Sequence, residues 1–297
     1  MDPLLDKVPK PWSDRFRALG GLKHPDVKAV VLVGGSVRDL MLGRDPFDWD
    51  IMVEGDINPV LQTGEYLFKT VKTVRHSTFL TATLHFPDQT FLDVVTSRTE
   101  TYPKPGALPK VKRSTLDEDF QRRDFTVNAM ALHLSPDKWG QLIDPFDGRG
   151  DAANRLIRDL HDQSFVDDPT RIYRAARYAG RYGWNVELRT EKRILDAVKK
   201  GLPGVLSPAR RRNELTHLLT EPNAAPAMKR LWDWGLWPFW GESFRWTPDV
   251  EAALSSPPGD DPLQARLAAL CRTGDVKAGV KALKALTYPG ALLEKTA

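Results

Sequence analysis

At 297 residues and 41% hydrophobic content, the chain has the length of about two domains and enough apolar residues for a core. The formal net charge of +4 excludes a general polycation, and no apolar run reaches the ~18 residues that a membrane-spanning helix needs. The single Cys271 excludes an internal disulfide framework and fits a reducing cytosol, and no Cys/His cluster has zinc spacing.

In chain order, the opening Met1-Asp2-Pro3-Leu4-Leu5-Asp6 lacks the basic segment and apolar stretch of a secretory leader. Ala29-Val30-Val31-Leu32-Val33 is a β-branched apolar run of strand type. It leads into Gly34-Gly35-Ser36-Val37-Arg38-Asp39, then Gly43-Arg44, then Asp48-Trp49-Asp50-Ile51. The glycine pair lets backbone N–H groups approach a phosphate with no Cβ in the way. Asp48 and Asp50 are two apart, so on a strand they project from one face. Adjacent carboxylates repel unless a cation sits between them, and Mg²⁺ is the usual one, held by carboxylates together with substrate phosphates. Alone, Asp-x-Asp or Gly-Gly is common in turns. Their ordered spacing behind a strand predicts a metal-dependent phosphoryl- or nucleotidyl-transfer site.

Phe91-Leu92-Asp93-Val94-Val95 reads as a strand apolar on both faces with one acid in it. A buried acid there needs a partner or a metal; the alternative is an Asp at a strand end facing water. Ser97 through Lys110 is rich in Pro and charge without an apolar period, which predicts a long loop. In Arg122-Arg123-Asp124-Phe125-Thr126-Val127-Asn128, Asp124 accepts while Asn128 both accepts and donates, a set suited to ribose hydroxyls; the alternative is Asn128 capping a turn beside a solvated Arg122-Arg123 pair. Asp144-Pro145-Phe146-Asp147-Gly148 reads as a structural turn before a helix. Asp168 as N-cap with Pro169 at the first helical position starts the next helix, and Asp168 and Arg171 share one face of it. The alternative at that point is a capped helix with a local Asp–Arg ion pair.

Basic residues cluster at Lys110–Arg113, at Arg171, Arg174, Arg177 and Arg181, and at Arg210-Arg211-Arg212. The second cluster fits phosphate contacts and a solvated helix face equally well. The aromatic stretch Arg230–Trp240 reads as a helix end closed by Gly235 and packed onto a core.

Taken together, these motifs resemble the class II tRNA CCA-adding enzyme and bacterial poly(A) polymerase family, whose signature is Gly-Gly-x-Val-Arg-Asp, Leu-Gly-Arg and Asp-x-Asp-Ile. The resemblance covers residues 25–220, is strongest over 30–180, and fades beyond. It implies an α+β nucleotidyltransferase head, a small mixed β-sheet with helices, over 1–135. An all-α neck that reads the base would follow over 136–200, and an all-α body for RNA over 201–297. The resemblance assigns Asp48, Asp50 and Asp93 to catalysis and to two Mg²⁺ ions. Gly34, Gly35, Ser36 and Arg38 would bind the triphosphate, and Asp124 and Asn128 the ribose. Asp168, Arg171 and Arg174 would select the base, and Arg98, Glu100 and Tyr102 belong to a flexible loop that helps the switch from C to A. The implied substrates are CTP and ATP, the implied partner is the tRNA 3′ end, and the implied compartment is the cytoplasm.

Base selection by Asp168 and Arg171 has a chemical rationale. Cytosine and adenine both present an exocyclic amine beside an unprotonated ring nitrogen, which a carboxylate and a guanidinium match; uracil and guanine present the opposite pattern. An A-adding, CC-adding or poly(A) enzyme remains as an alternative. The intact carboxylates argue against a non-catalytic RNA scaffold, and the neck motif argues against antibiotic-modifying nucleotidyl transfer. The chain departs from the family pattern at Leu80 and Asp147, where glycine is usual, at Asp167 for Glu, and at Ala209 and Arg211 for Glu and Ile. It also ends sooner than typical members, so the tail that helps anchor tRNA by its elbow is expected to be short or missing.

Overall fold

In the computed structural model, which describes residues 3–256 and 261–294, the apolar run after Ala29 forms the inner part of a central strand, β1 (Val27–Val33). Met1 and Asp2 of the segment read for a leader lie outside the described residues. The strands that follow are β2 (Asp50–Gly55), β3 (Lys72–His76), β4 (Thr81–His85), β5 (Phe91–Thr96), β6 (Arg98–Thr101), β7 (Lys110–Arg113), β8 (Ala131–His133) and β9 (Leu142–Ile143). Among the described residues, seven of these make one sheet in the order β3-β4-β5-β2-β1-β8-β9. β2 and β5 run parallel and the other neighbours antiparallel, so the sheet is mixed, as expected.

Strand periodicity explains why β1 is apolar throughout. Val30 and Leu32 face one side, where they meet Phe16 and Leu19 of α1 (Lys10–Gly20), Val37 and Leu40 of α2 (Gly35–Met41), and Val60 and Leu61 of α3 (Asn58–Phe68). Val31 and Val33 face the other side with Met52 and with Leu116 and Phe120 of α4 (Leu116–Gln121). Both faces are covered, and each buried Val or Leu contributes roughly 1.5–3 kcal/mol. β5 differs from its sequence reading. Leu92 and Val94 are buried, but Phe91 is 38% exposed and Asp93 half-buried, so the strand alternates instead of being apolar on both faces.

The expected loop from Ser97 to Lys110 is also shorter than read. β6 and β7 pair as a separate antiparallel hairpin, with Glu100 opposite Val111. Ion pairs from Glu100 to Arg98 (3.0 Å) and Arg122 (2.8 Å) help hold it, in place of the apolar alternation that marks most strands. The unit closes with α5 (Gly148–Ala153), whose N-cap Asp147 accepts a hydrogen bond from Gly150 N–H at 3.2 Å. Asp147 sits at φ 56°, a left-handed conformation that glycine adopts freely and Asp tolerates. That accounts for the family's glycine at this turn, which is structural as read.

Met1–Thr101 and Pro109–Asn154 form this first compact unit; Tyr102–Leu108 and Arg155–Ala297 form a second. The second is helical apart from a short parallel pair, β10 (Leu156–Ile157) and β11 (Asn185–Val186), which the all-α reading did not anticipate. Its helices include α6 (Ser164–Asp167), α7 (Thr170–Tyr182), α8 (Leu188–Lys199), α9 (Pro208–Leu219) and α10 (Ala225–Asp233). The first helical residue of α7 is Thr170, one later than predicted, with Pro169 just before it and Asp168 Oδ1 accepting from Thr170 N–H at 3.1 Å. Trp234, Trp237 and Trp240 are buried and Trp237 Nε1 donates to Met228 O, so the aromatic stretch is core, as read. No helix among the described residues is long and apolar enough to cross a membrane.

Candidate active site

Trp49 sets the direction of the two acids beside it. Its ring is buried against Phe16 and Trp12, with centroids 5.3 and 5.5 Å away, on one face of the sheet. β2 begins only at Asp50, so Asp48 lies just before the strand and not on it. Asp50 is the register partner of Asp93 on parallel β5, and Asp93 N–H donates to Trp49 O at 3.0 Å. Directly paired residues share a face. Asp93 Oδ1 accepts from the Thr83 hydroxyl at 2.5 Å, which orients the carboxylate from β4.

Electrostatics report the crowding of these acids. Burial, then the charges of Asp48 and Asp93, raises the Asp50 carboxyl to about 7, with Arg123 acting in the opposite direction. Burial and then Asp93 raise Asp48 as well. Among the described residues, no three or more Asp, Glu, His or Cys side chains converge to hold a metal ion by themselves. Mg²⁺ seldom asks for that; it is bound by one or two carboxylates, waters and substrate phosphates. The all-oxygen donors and their mutual repulsion fit such an ion.

Beside the acids runs a linked polar chain. Arg38, 4% exposed, makes a forked pair with Asp39 at 2.9 and 3.0 Å and donates to Asn128 Oδ1 at 2.5 Å. Asn128 Nδ2 in turn donates to Asp124 Oδ1 at 3.1 Å. The residues expected at triphosphate and ribose are therefore brought together. Gly34 takes φ 70°, and its N–H is bonded to Met130 O at 3.2 Å. The Ser36 hydroxyl, fully buried, donates to Val33 O at 2.9 Å. What this turn presents is thus backbone shape and the N–H groups of Gly35 to Val37, which have no acceptor within α2.

Three residues had no assigned role in the sequence reading. Asp39 braces Arg38. Arg123 donates to Asn128 O (3.0 Å) and Asp119 (3.1 Å) and is the cation that counters Asp50. Asp119, fully buried, also receives Arg122 (2.6 Å) and Arg98 N–H (3.0 Å). The first two sit inside motifs already singled out; Asp119 carries no local signal. Arg98 and Glu100 pair with each other in the hairpin, while Tyr102 groups with the second unit.

In the second unit, Asp168 and Arg171 each have partners beyond their own helix start. Asp168 pairs with Arg210 of α9 at 2.7 Å, and the buried Arg171 donates to Ser164 Oγ at 2.8 Å. Arg174 donates to Tyr178 Oη at 2.9 Å. Burial raises the Glu214 carboxyl, against the pull of Arg174 and Arg177. The basic row along α7 is only partly solvated: Arg171 is buried, and Arg177 and the exposed Arg181 both pair with the buried Glu221. The Arg210-Arg211-Arg212 run is also spent inside the unit, with Arg211 on Phe239 O and Arg212 on Thr287 O.

A mixed sheet presenting carboxylates at paired strand ends, with helices behind it, is the architecture of a nucleotidyltransferase head. Residues 30–158 match the model of the poly A polymerase head domain. An A-adding tRNA nucleotidyltransferase of Halalkalibacterium halodurans is 42% identical over 209 residues, 69% of this chain and 48% of its own length. A CC-adding tRNA nucleotidyltransferase of Deinococcus radiodurans is 39% identical over 211 residues, 71% of this chain and 55% of its own. A solved CCA-adding enzyme in its apo form II superposes with a TM-score of 0.83 at 32% identity, over 99% of this chain and 72% of that one. The chain belongs to the class II tRNA CCA-adding enzyme and bacterial poly(A) polymerase family. It spans about half the length of the two curated relatives it matches here.

Proposed function

We propose that this chain adds C and/or A residues to the 3′ end of tRNA without a nucleic-acid template. The RNA 3′-hydroxyl attacks the α-phosphate of CTP or ATP in line; a phosphodiester bond forms and pyrophosphate leaves. The observation that carries this reading is the pairing of Asp50 with Asp93 across β2 and β5, with Asp48 close enough that its charge raises the Asp50 carboxyl. When bound, two Mg²⁺ ions held by Asp48, Asp50 and Asp93 would activate the hydroxyl and neutralise developing charge. Arg38 with the Gly34-Gly35-Ser36 turn orients the triphosphate, and Asp124 and Asn128 hold the ribose. Asp168, Arg171 and Arg174 choose the base, and the Arg98, Glu100 and Tyr102 loop takes part in the switch between bases. The neck (136–200) and body (201–297) then divide base reading from RNA binding, and the reaction takes place in the cytoplasm.

A narrower reading, addition of the terminal A alone, is favoured by the A-adding name of the relative at 42% identity. One assay separates the two. The protein is given tRNA ending at the discriminator base, at -C or at -CC, with CTP, ATP or both, and Mg²⁺. Completion of CCA on the first substrate supports the full activity, and A on the -CC end alone supports the narrower one. Long A tracts on unrelated RNA would mean a poly(A) polymerase, and no addition anywhere would refute the proposal.

A further inference from the structure

We propose that Arg210 is a positioning residue that ties the orientation of Asp168 to the Tyr102–Leu108 segment, and through it governs nucleotide choice. This rests on the reading that Asp168 meets the incoming base. Arg210 lies in the first turn of α9, where its N–H bonds to the Ser207 side chain at 3.3 Å. Its guanidinium forks. Nη2 donates to Asp168 Oδ1 and Nη1 to Gly106 O, each at 2.7 Å. Both charged side chains are only about one-fifth exposed, 23% for Arg210 and 21% for Asp168, so water competes weakly for the pair.

On the Asp168 side, Oδ1 also accepts from Thr170 N–H (3.1 Å) and the Thr170 hydroxyl (2.7 Å). Among the described residues, the three hydrogen bonds to the Asp168 carboxylate all fall on Oδ1. Oδ2 is therefore the oxygen left to accept from the exocyclic amine of cytosine or adenine. Arg210 is the charged member of the three donors that hold the carboxylate in that pose.

On the segment side, Gly106 is gripped through both of its backbone groups. Its carbonyl receives Arg210, and its N–H donates to Asp167 O at 3.3 Å. Its φ is +68°, and a Cβ would lie 2.7 Å from Val205 Cγ2, so glycine alone seats the segment here without displacing its neighbour. One planar guanidinium thus serves two acceptors, one in the segment and one at the base-reading carboxylate. A lysine has no fixed fork with which to do the same.

The test combines two readouts on the full chain. Single-nucleotide incorporation gives kcat/KM for CTP, ATP, UTP and GTP, and amide hydrogen exchange follows residues 102–108. Arg210→Ala should lower discrimination against UTP and GTP by about tenfold or more and speed exchange in the segment. Arg210→Lys should fall between it and wild type, and Gly106→Ala should speed exchange with a smaller loss of discrimination. Wild-type exchange in Arg210→Ala would overturn the tether whatever the enzyme adds. Faster exchange with unchanged nucleotide choice would reduce Arg210 to a structural link and overturn the proposal. Asp168→Ala separates the two levels. If it keeps nucleotide choice, the base-reading assignment itself fails; if it loses choice while Arg210→Ala keeps it, only the coupling fails.

Discussion

Asp50 and Asp93 sit opposite each other on the parallel strands β2 and β5, and that one register match brings together two acids from different parts of the chain. Burial of the neighbouring Trp49 on one face turns Asp50 to the other, where Arg123 lies. Asp48→Ala and Asp93→Ala should each reduce incorporation by a factor of about 10³ or more, the scale of losing charge stabilisation in a transition state. Nucleotide binding without metal, followed by equilibrium dialysis, should survive in both variants. Turnover near the wild-type rate in either would remove that carboxylate from the mechanism.

The raised Asp50 carboxyl sets a pH dependence. Its folded value of about 7 lies above the ordinary carboxylate range, because of burial first and the charges of Asp48 and Asp93 second. The folded state therefore holds this proton more tightly. The associated stability is full below about pH 4 and is lost as pH rises through about 7. Asp50→Asn never ionises, so in chelator it should melt above wild type at pH 8, by the equivalent of roughly 4 kcal/mol at most, and the gap should close near pH 4. The same variant should be inactive. A gap that does not change between these pH values would contradict the electrostatic account.

Arg38→Lys keeps the charge but loses the fork onto Asp39 and the aligned bond to Asn128. The expected result is a rise of about tenfold in KM for the nucleotide, with a stability loss of about 1–3 kcal/mol from leaving buried polar groups unpaired. Steady-state kinetics and urea titration measure the two effects. An unchanged KM would separate Arg38 from the nucleotide.

Leu80 occupies a backbone conformation with φ 56°, where a bulky side chain costs about 1–2 kcal/mol. This explains the family's glycine at the position. Leu80→Gly should raise stability by about 0.5 kcal/mol once the greater freedom of glycine in the unfolded chain is subtracted, and Leu80→Ala should not. Urea midpoints of the two variants decide it; equal midpoints would show that the turn carries no strain.

Much of the head was legible because its signals are local. The continuous apolar run Ala29–Val33, the glycine turn behind it, and the spacing of Asp48 and Asp50 each occupy a few consecutive residues. The hairpin β6–β7 was not legible, because charge pairs help hold it and no apolar period marks it. The basic runs were ambiguous for a similar reason. Only the fold shows that Arg177 and Arg181 pair with Glu221, and that Arg210, Arg211 and Arg212 reach three different segments.

By itself the sequence determined the central strand, the glycine turn behind it, the start of α7 to within a residue, and the kinds of chemical group the candidate site contains, since these follow from propensity, periodicity and side-chain chemistry at short range. Tertiary structure decided which groups meet. Arg38 reaches Asn128 across 90 positions, and Arg210 reaches Asp168 across 42 and Gly106 across 104. Such contacts depend on strand register and helix packing, which are set by the burial of the whole core and leave no spacing to read along the chain.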